Sequence, residues 1–401
     1  MPHKRPRHCM NNFRRKLAFS PVVTIQGPRQ CGKSFFVREL VASTESGVEY
    51  VTFDHKITRE FAAQSPDTFL EQKFDAKTLA IDEAQKVPDI FDAMKYQVDK
   101  ERRPGRYILL GSTEFSREFL IRESMTGRIS RTRVYPLNTA EALELPPNPI
   151  RDLLGLNVKP RVERRDLLRH LEHGGFPGIF AVRSKSERAD LLNEWITTTS
   201  ERDIHQFPRI KADSELTMDI LRAIATMEEP EAGRIAKMIR RPPRRVEQHL
   251  NLLEQIFVIH HVPPLAFSTG KNRYYLCDAG VARVLGASFE TQLLTQVILE
   301  RLSQAHYDTG ISPRLSYYRS QKGAVTHLVE ENDHGIAALL ILSDDRMDVQ
   351  KIKRLQAFCA KAAEYYDEHK IKRTIHAKVL AAVEQPINIE GFDVLPWEAI
   401  V

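Results

Sequence analysis

Eight residues, GPRQCGKS at 27–34, carry the types and spacing best suited to chemistry in this chain. Gly27 and Gly32 free the backbone to aim successive N–H groups into one concavity, with Pro28, Arg29, Gln30 and Cys31 as the rim between them. Lys33 offers a mobile positive charge to the outer phosphates of a nucleotide, and Ser34 offers a hydroxyl to magnesium. A helix beginning there adds the positive end of its dipole. The pattern predicts a bound nucleoside triphosphate with Mg2+; ATP is the expected ligand, although no motif reads the base. Downstream, TLAIDEAQ at 78–85 reads as a buried strand ending in two carboxylates, a costly arrangement unless they do chemistry or hold a metal. Asp82 is expected to hold the magnesium through water, and Glu83 to orient and deprotonate the attacking water. Ser112, after RYILLG, is the expected γ-phosphate sensor. Arg128, in SMTGRIS, is expected to neutralise charge on the transferring phosphoryl group, from its own subunit or a neighbour.

These side chains need a scaffold, and the sequence predicts one. PVVTIQ at 21–26 is a short β-branched run that enters the glycine-bearing loop, and 35–41 has helical apolar spacing. Further strands are expected at 48–53, 78–81 and 107–110 with helices between them, which implies a parallel α/β sheet covered on both faces. The alternation stops near Pro136. We expect a basic tail over 1–18, a P-loop NTPase domain over 19–143, and a Pro-rich connector and helical segment over 144–207. A mostly helical region over 208–286 and a third, α/β unit over 287–401 complete the chain.

The 401 residues are 42% hydrophobic, enough for several buried cores. The four cysteines lie far apart and form no CxxC or Cys/His cluster, which argues against disulfides and structural zinc and fits a reducing interior. No apolar run is long enough to span a bilayer, so a cytoplasmic protein without a membrane partner is expected. The net charge of +6 permits a nucleic-acid partner without requiring one.

Charge clusters at one place. RIAKMIRRPPRRVEQH at 234–249 holds six Lys/Arg against a single acid, on two helices joined at Pro242–Pro243. With the apolar IFVIHHV at 256–262 as a wing, this suits a winged helix. Arg240, Arg241, Arg244 and Arg245 are its expected contacts to duplex DNA. Interdomain or protein–protein packing is the competing expectation. His260 and His261 in that strand are expected to pack or to face an edge.

Together GPRQCGKS, IDEAQKVPDIFDAMKYQVD, RYILLGS, ESMTGR and VYPLNTAE resemble prokaryotic P-loop ATPases of the AAA-like division with a catalytic glutamate. GGFPG at 174–178, Arg202–Asp203–Ile204 and YYLCDAGVARVLG at 274–286 extend the resemblance over most of the chain. It implies a winged-helix segment and a C-terminal PD-(D/E)XK-nuclease-like domain of unknown function. It also implies the nucleotide roles of Lys33, Ser34, Asp82 and Glu83. Cys31 and Thr113 depart from the family's usual residues without threatening binding. The last domain departs further: Ala324 and Thr326 stand where the family has acids, and 336–342 holds neither carboxylate nor lysine. Glu290 matches one family acid, which alone cannot build a two-carboxylate site, and Glu330 and Glu331 are poor substitutes. We therefore expect no nuclease activity. The overall expectation is an ATPase acting as a conformational switch, with DNA as its candidate partner; the alternative is a signalling or scaffold protein whose last domain binds a protein partner, with the nucleotide as a slow timer.

Overall fold

The computed structural model describes residues 5–401 except 44, 46, 74–76, 114–126, 149–152, 154–159, 207–211, 310–312, 322, 324 and 344–347. Its first sheet holds β1 (Val22–Gln26), β2 (Val48–Thr52), β3 (Thr78–Asp82), β4 (Tyr107–Gly111) and β5 (Ile129–Arg133), ordered β2-β3-β4-β1-β5. Every pairing is parallel. The three inner strands are buried at every position, as a sheet covered on both faces requires. Strand alternation splits their side chains between two cores. Val22, Leu79, Ile81 and Leu109 face Ile90, Met94 and Val98 of the helix Ile90–Lys100. Val23, Ile25, Ala80, Ile108 and Leu110 face Phe13, Phe36 and Tyr307.

The second core corrects the expected N-terminal tail. Met10–Leu17 is a helix, and its Cys9–Phe13 spacing brings Phe13, fully buried, edge-on to Phe36 at 5.3 Å. The basic residues on its other face had suggested solvent. The edge strand β5 was also not expected: ISRTR has one buried residue, Thr132, and no apolar run to betray it.

Beyond the sheet come the helices Arg164–His173 and Lys185–Glu201, then Ser214–Thr226, Ala232–Met238 and Pro243–Gln255. The last three are followed by an antiparallel ribbon of β6 (Ile259–Val262) and β7 (Arg273–Leu276). The ribbon starts later than 256 because Phe257 takes a left-handed turn (φ 62°) at the helix end. The final unit opens with the helix Phe289–Thr309, which returns to the first sheet: His306 Nε2 accepts from Arg133 N at 2.6 Å and Tyr307 Oη from Tyr135 N at 3.1 Å. Its six-stranded mixed sheet runs β12-β13-β11-β10-β9-β8, from β8 (Arg314–Arg319), β9 (Val325–Glu331), β10 (Gly335–Ile341), β11 (Thr374–Ala381), β12 (Ile387–Ile389) and β13 (Phe392–Pro396). An ionic cluster joins this sheet to the ribbon. Buried Arg273 lies 3.8 Å from the Tyr317 ring centroid and pairs with Glu229, which Arg319 also approaches at 3.5 Å.

Candidate functional site

The loop at 27–34 leaves β1 at the C-terminal end of the sheet, where the strand-order reversal opens a crevice. A Cβ at Gly27 would fall 1.9 Å from Val134 O, so only glycine lets the loop pass the end of β5. Gln30 (φ 61°) and Gly32 (φ 95°) turn the backbone left-handed, and the helix then begins at Lys33. After one turn it continues as a π-helix over Phe36–Val41, a form that concentrates at functional sites. The loop is held from behind and from the side. Buried Arg7 donates to Cys31 O at 2.9 Å; Arg29 pairs with Asp203 at 2.8 Å, and the Trp195 indole donates to Arg29 O at 3.2 Å. Cys31 is buried against Val134 O. Lys33 Nζ folds back onto Gly27 O (3.0 Å) and Pro28 O (2.8 Å), partners it can exchange for phosphate oxygens.

β3 delivers the carboxylates. Asp82 Oδ2 accepts from Ser34 Oγ at 2.5 Å and from Tyr50 Oη at 2.5 Å, while Oδ1 accepts from Glu83 N at 2.9 Å. The adjoining oxygens of Ser34 and Asp82 are the donor set a small hard cation prefers. Glu83 sits at φ 55°, a conformation sparsely populated by side-chain-bearing residues and frequent at active sites. Its Oε2 accepts from Gln85 Nε2 at 2.6 Å. Burial, and then the neighbouring Asp82 charge, raise its pKa above the ordinary glutamate value, toward that of a base able to take a proton.

Strand order explains Ser112. β4 lies between β3 and β1, so the residues after Gly111 emerge between the carboxylates and the loop. Gln26 Nε2 donates to Thr113 O at 3.0 Å and ties that turn to β1. Ser112 lines the cleft with Lys33, Ser34 and Glu83.

Arg128 is placed elsewhere. It precedes β5, whose register sets Ile129 beside Val22 and Arg133 beside Gln26. It therefore lies at the opposite end of the sheet, about five strand residues or ~16 Å from the loop. There it grips Asp99 with Nε (2.6 Å) and Nη2 (2.9 Å), and that contact lowers the Asp99 pKa. This geometry sets it away from the loop of its own subunit, and the strand it precedes was not legible in the sequence.

The cleft encloses about 930 Å3, and its far wall was not legible in the sequence. It comes from Phe176–Ile179, from Leu191 and Trp195 on the helix Lys185–Glu201, and from Arg202 just after it. GGFPG seats that wall. Gly175 N donates to Asp278 Oδ2 at 2.6 Å, Leu137 N donates to Gly175 O at 2.7 Å, and a Cβ on Gly174 would meet Asp278 Oδ1 at 2.4 Å. Thus GGFPG and the Asp278-containing segment, distant in sequence, are two halves of one joint. Six cations border the cleft. Arg5, Arg7, Arg29 and Lys86 pair with Glu144, Glu141, Asp203 and Asp54. Among the described residues, Lys33 and exposed Arg202 have no carboxylate partner.

The other expected sites fare unevenly. Arg244 and Arg245 open the helix Pro243–Gln255, with Arg240 and Arg241 in the turn before it. Arg241 pairs with Glu215 and Arg245 with Asp213, both at 3.1 Å, whereas Arg240 and Arg244 are exposed. In the last unit Glu290 accepts from Ser343 Oγ at 3.0 Å and lies 3.4 Å from His327. Glu330 is buried in a two-pronged pair with Arg301 (3.0 and 3.1 Å), Thr326 is buried on β9, and Ala324 lies outside the described residues. Among the described residues no helix is long and apolar enough to cross a membrane.

Residues 19–143 match a family described as AAA domain, and residues 164–292 match a domain of unknown function. Uncharacterized proteins of Mycobacterium tuberculosis and Mycobacterium bovis are each 28% identical over 287 residues, 70% of this chain and 59% of theirs. The chain thus spans less than two thirds of these relatives' length. Among solved structures, a Walker-type ATPase of Pyrococcus abyssi aligns over 69% of this chain and 94% of its own (16% identity, TM-score 0.45). AMPPCP-bound DnaA from Aquifex aeolicus aligns over 61% and 85% (12% identity, TM-score 0.27). The match over 19–143 supports a P-loop ATPase domain in that segment, as the resemblance led us to expect. The match at 164–292 leaves the winged-helix and nuclease-like assignments without support from these relatives.

Proposed function

We propose that the chain is a magnesium-dependent ATPase that uses hydrolysis to change how the helical and last units sit against its P-loop domain. The observation that carries this reading is the cleft, which gathers Lys33, Ser34, Glu83 and Ser112 on one wall, with Asp82 hydrogen-bonded to Ser34 behind it, and Arg202 of the helical segment on the other. The loop N–H groups and the helix end at Lys33 bind the inner phosphates. Lys33 leaves its two carbonyls for the outer ones. Ser34 and Asp82 are the residues that would hold magnesium, which supplies charge neutralisation across the terminal phosphates. Glu83, its basicity raised by burial, takes the proton of the attacking water, and Ser112 orients the γ-phosphoryl oxygens. Arg202 completes the charge balance, so the bound triphosphate bridges two parts of the chain.

The output is proposed to lie in the three helices and ribbon of 214–276, read as a winged helix, with duplex DNA as its partner through Arg240 and Arg244. The ion pairs of Arg241 and Arg245 favour the second reading, in which this region packs on a protein partner. Phosphate release by wild type, Lys33→Ala and Glu83→Gln tests the core proposal. Lys33→Ala should lose nucleotide binding. Glu83→Gln should keep it while turnover falls ~10²–10⁴-fold, the usual contribution of a general base. Wild-type turnover in Glu83→Gln would refute the assignment.

A further inference from the structure

We propose that Tyr50 positions the metal-side carboxylate of Asp82, an inference that rests on the reading of the cleft as a magnesium–nucleotide site. Tyr50 lies on β2, one strand outward from β3, in register with Ala80. Its phenol reaches Asp82 Oδ2 at 2.5 Å, the oxygen that also accepts from Ser34 at 2.5 Å. Among the described residues, Oδ1 accepts only the Glu83 N–H, at 2.9 Å.

An ionised carboxylate offers about four acceptor positions. The protein fills both on Oδ2 and one on Oδ1, which leaves a single position, on Oδ1. A cation-bound water is therefore met by one defined oxygen of a carboxylate that is no longer free to rotate. Removing the phenol opens a second position and loosens the group that should select the metal's hydration geometry. Contacts of this kind, one layer behind the metal, alter metal affinity by about 10–100-fold.

One further feature suits the role. The Arg38 guanidinium lies 5.5 Å from the Tyr50 ring centroid and comes from the π-helical segment that leaves the loop. The ring is thus held between the strand and the helix that carry the two metal-facing groups.

The test measures binding of a non-hydrolysable ATP analogue by calorimetry, in chelator and across a Mg2+ titration, for wild type and Tyr50→Phe. The expected result is a Mg2+ half-saturation about tenfold higher in Tyr50→Phe, with analogue affinity in chelator within twofold of wild type. An unchanged Mg2+ dependence overturns the proposal. An equal loss with and without Mg2+ also overturns it, because that marks a general packing role. If wild type binds no analogue in either condition, the nucleotide reading itself fails and the role of Tyr50 falls with it.

Discussion

Replacing Arg202 with alanine should cripple turnover while sparing ADP binding. The reasoning is a count of charges. ATP complexed with magnesium carries a net charge of about −2, and four of the six cations bordering the cleft already have carboxylate partners. Lys33 and Arg202 remain. A guanidinium ~4 Å from a terminal phosphoryl oxygen interacts by about 4 kcal/mol at an effective dielectric of ~20. Arginines that reach a transferring phosphoryl group contribute about 10³–10⁵ in rate. Arg202 is exposed at the cleft mouth, so we discount this to ~10²–10³, or about 3–4 kcal/mol of barrier. ADP lacks the group that Arg202 is proposed to meet. Steady-state phosphate release and ADP calorimetry on Arg202→Ala are the assay, with Arg202→Lys as a partial restoration because it keeps the charge without the planar fork. A kcat within threefold of wild type would sink the argument. An equal loss of ATP and ADP affinity would do the same, since it would mark uniform binding rather than help to the transferring group.

Acid should unfold this chain well above the usual carboxylate range. Burial pushes His170, His260 and His306 down to about 3 and His327 to about 4, against 6.5 for an unfolded histidine. A depressed folded value means stability present above ~6.5 and lost as pH falls, at pH 5 roughly 2 kcal/mol per histidine. Asp278, raised by burial to about 6, works oppositely and returns about 1 kcal/mol as it protonates. Urea midpoints at pH 7.5 and 5 should therefore differ strongly; equal midpoints would contradict the buried-neutral assignment. For the output region, Arg240→Glu with Arg244→Glu should cut duplex DNA affinity at least tenfold and flatten its salt dependence by about two phosphate contacts. Unchanged affinity would favour the protein-partner reading.

What the sequence made legible follows from where information is local. GPRQCGKS and DEAQ announce themselves because backbone freedom, charge and metal-ligating oxygen must sit at fixed offsets, and β1, β3 and β4 are apolar throughout. β5 escaped because an edge strand needs only one buried face, and the place of Arg128, which directly precedes that strand, escaped with it. Tyr50, Trp195 and Arg202 escaped for another reason. Their partners are 32 residues away for Tyr50 and 166 for Trp195, and an isolated tyrosine, tryptophan or arginine carries no spacing that points so far. The GGFPG turn was visible as a turn; that it exists to admit the Asp278 carboxylate was not.

The two attachments of the phosphate loop differ enough to say which should yield when nucleotide arrives. On one side Arg7 is buried, donates to Cys31 O and Tyr135 O, and lies 3.3 Å from fully buried Glu141. Breaking such a pair strands a charge away from water and costs about 3–5 kcal/mol. On the other side the Arg29–Asp203 bridge joins a 36% exposed arginine side chain to a buried aspartate, a half-solvated pair that costs less to break than the fully buried one. Phosphates recruiting Lys33 and the loop N–H groups act directly beside Arg29, within the same eight residues. Motion should therefore concentrate where the loop meets Trp195–Asp203, with the Arg7 contacts to Cys31, Tyr135 and Glu141 as the fixed side. On the proposed reading, the helical segment that carries Arg202 would be both the part free to move and the part that meets the γ-phosphate, the two properties a hydrolysis-driven switch must combine.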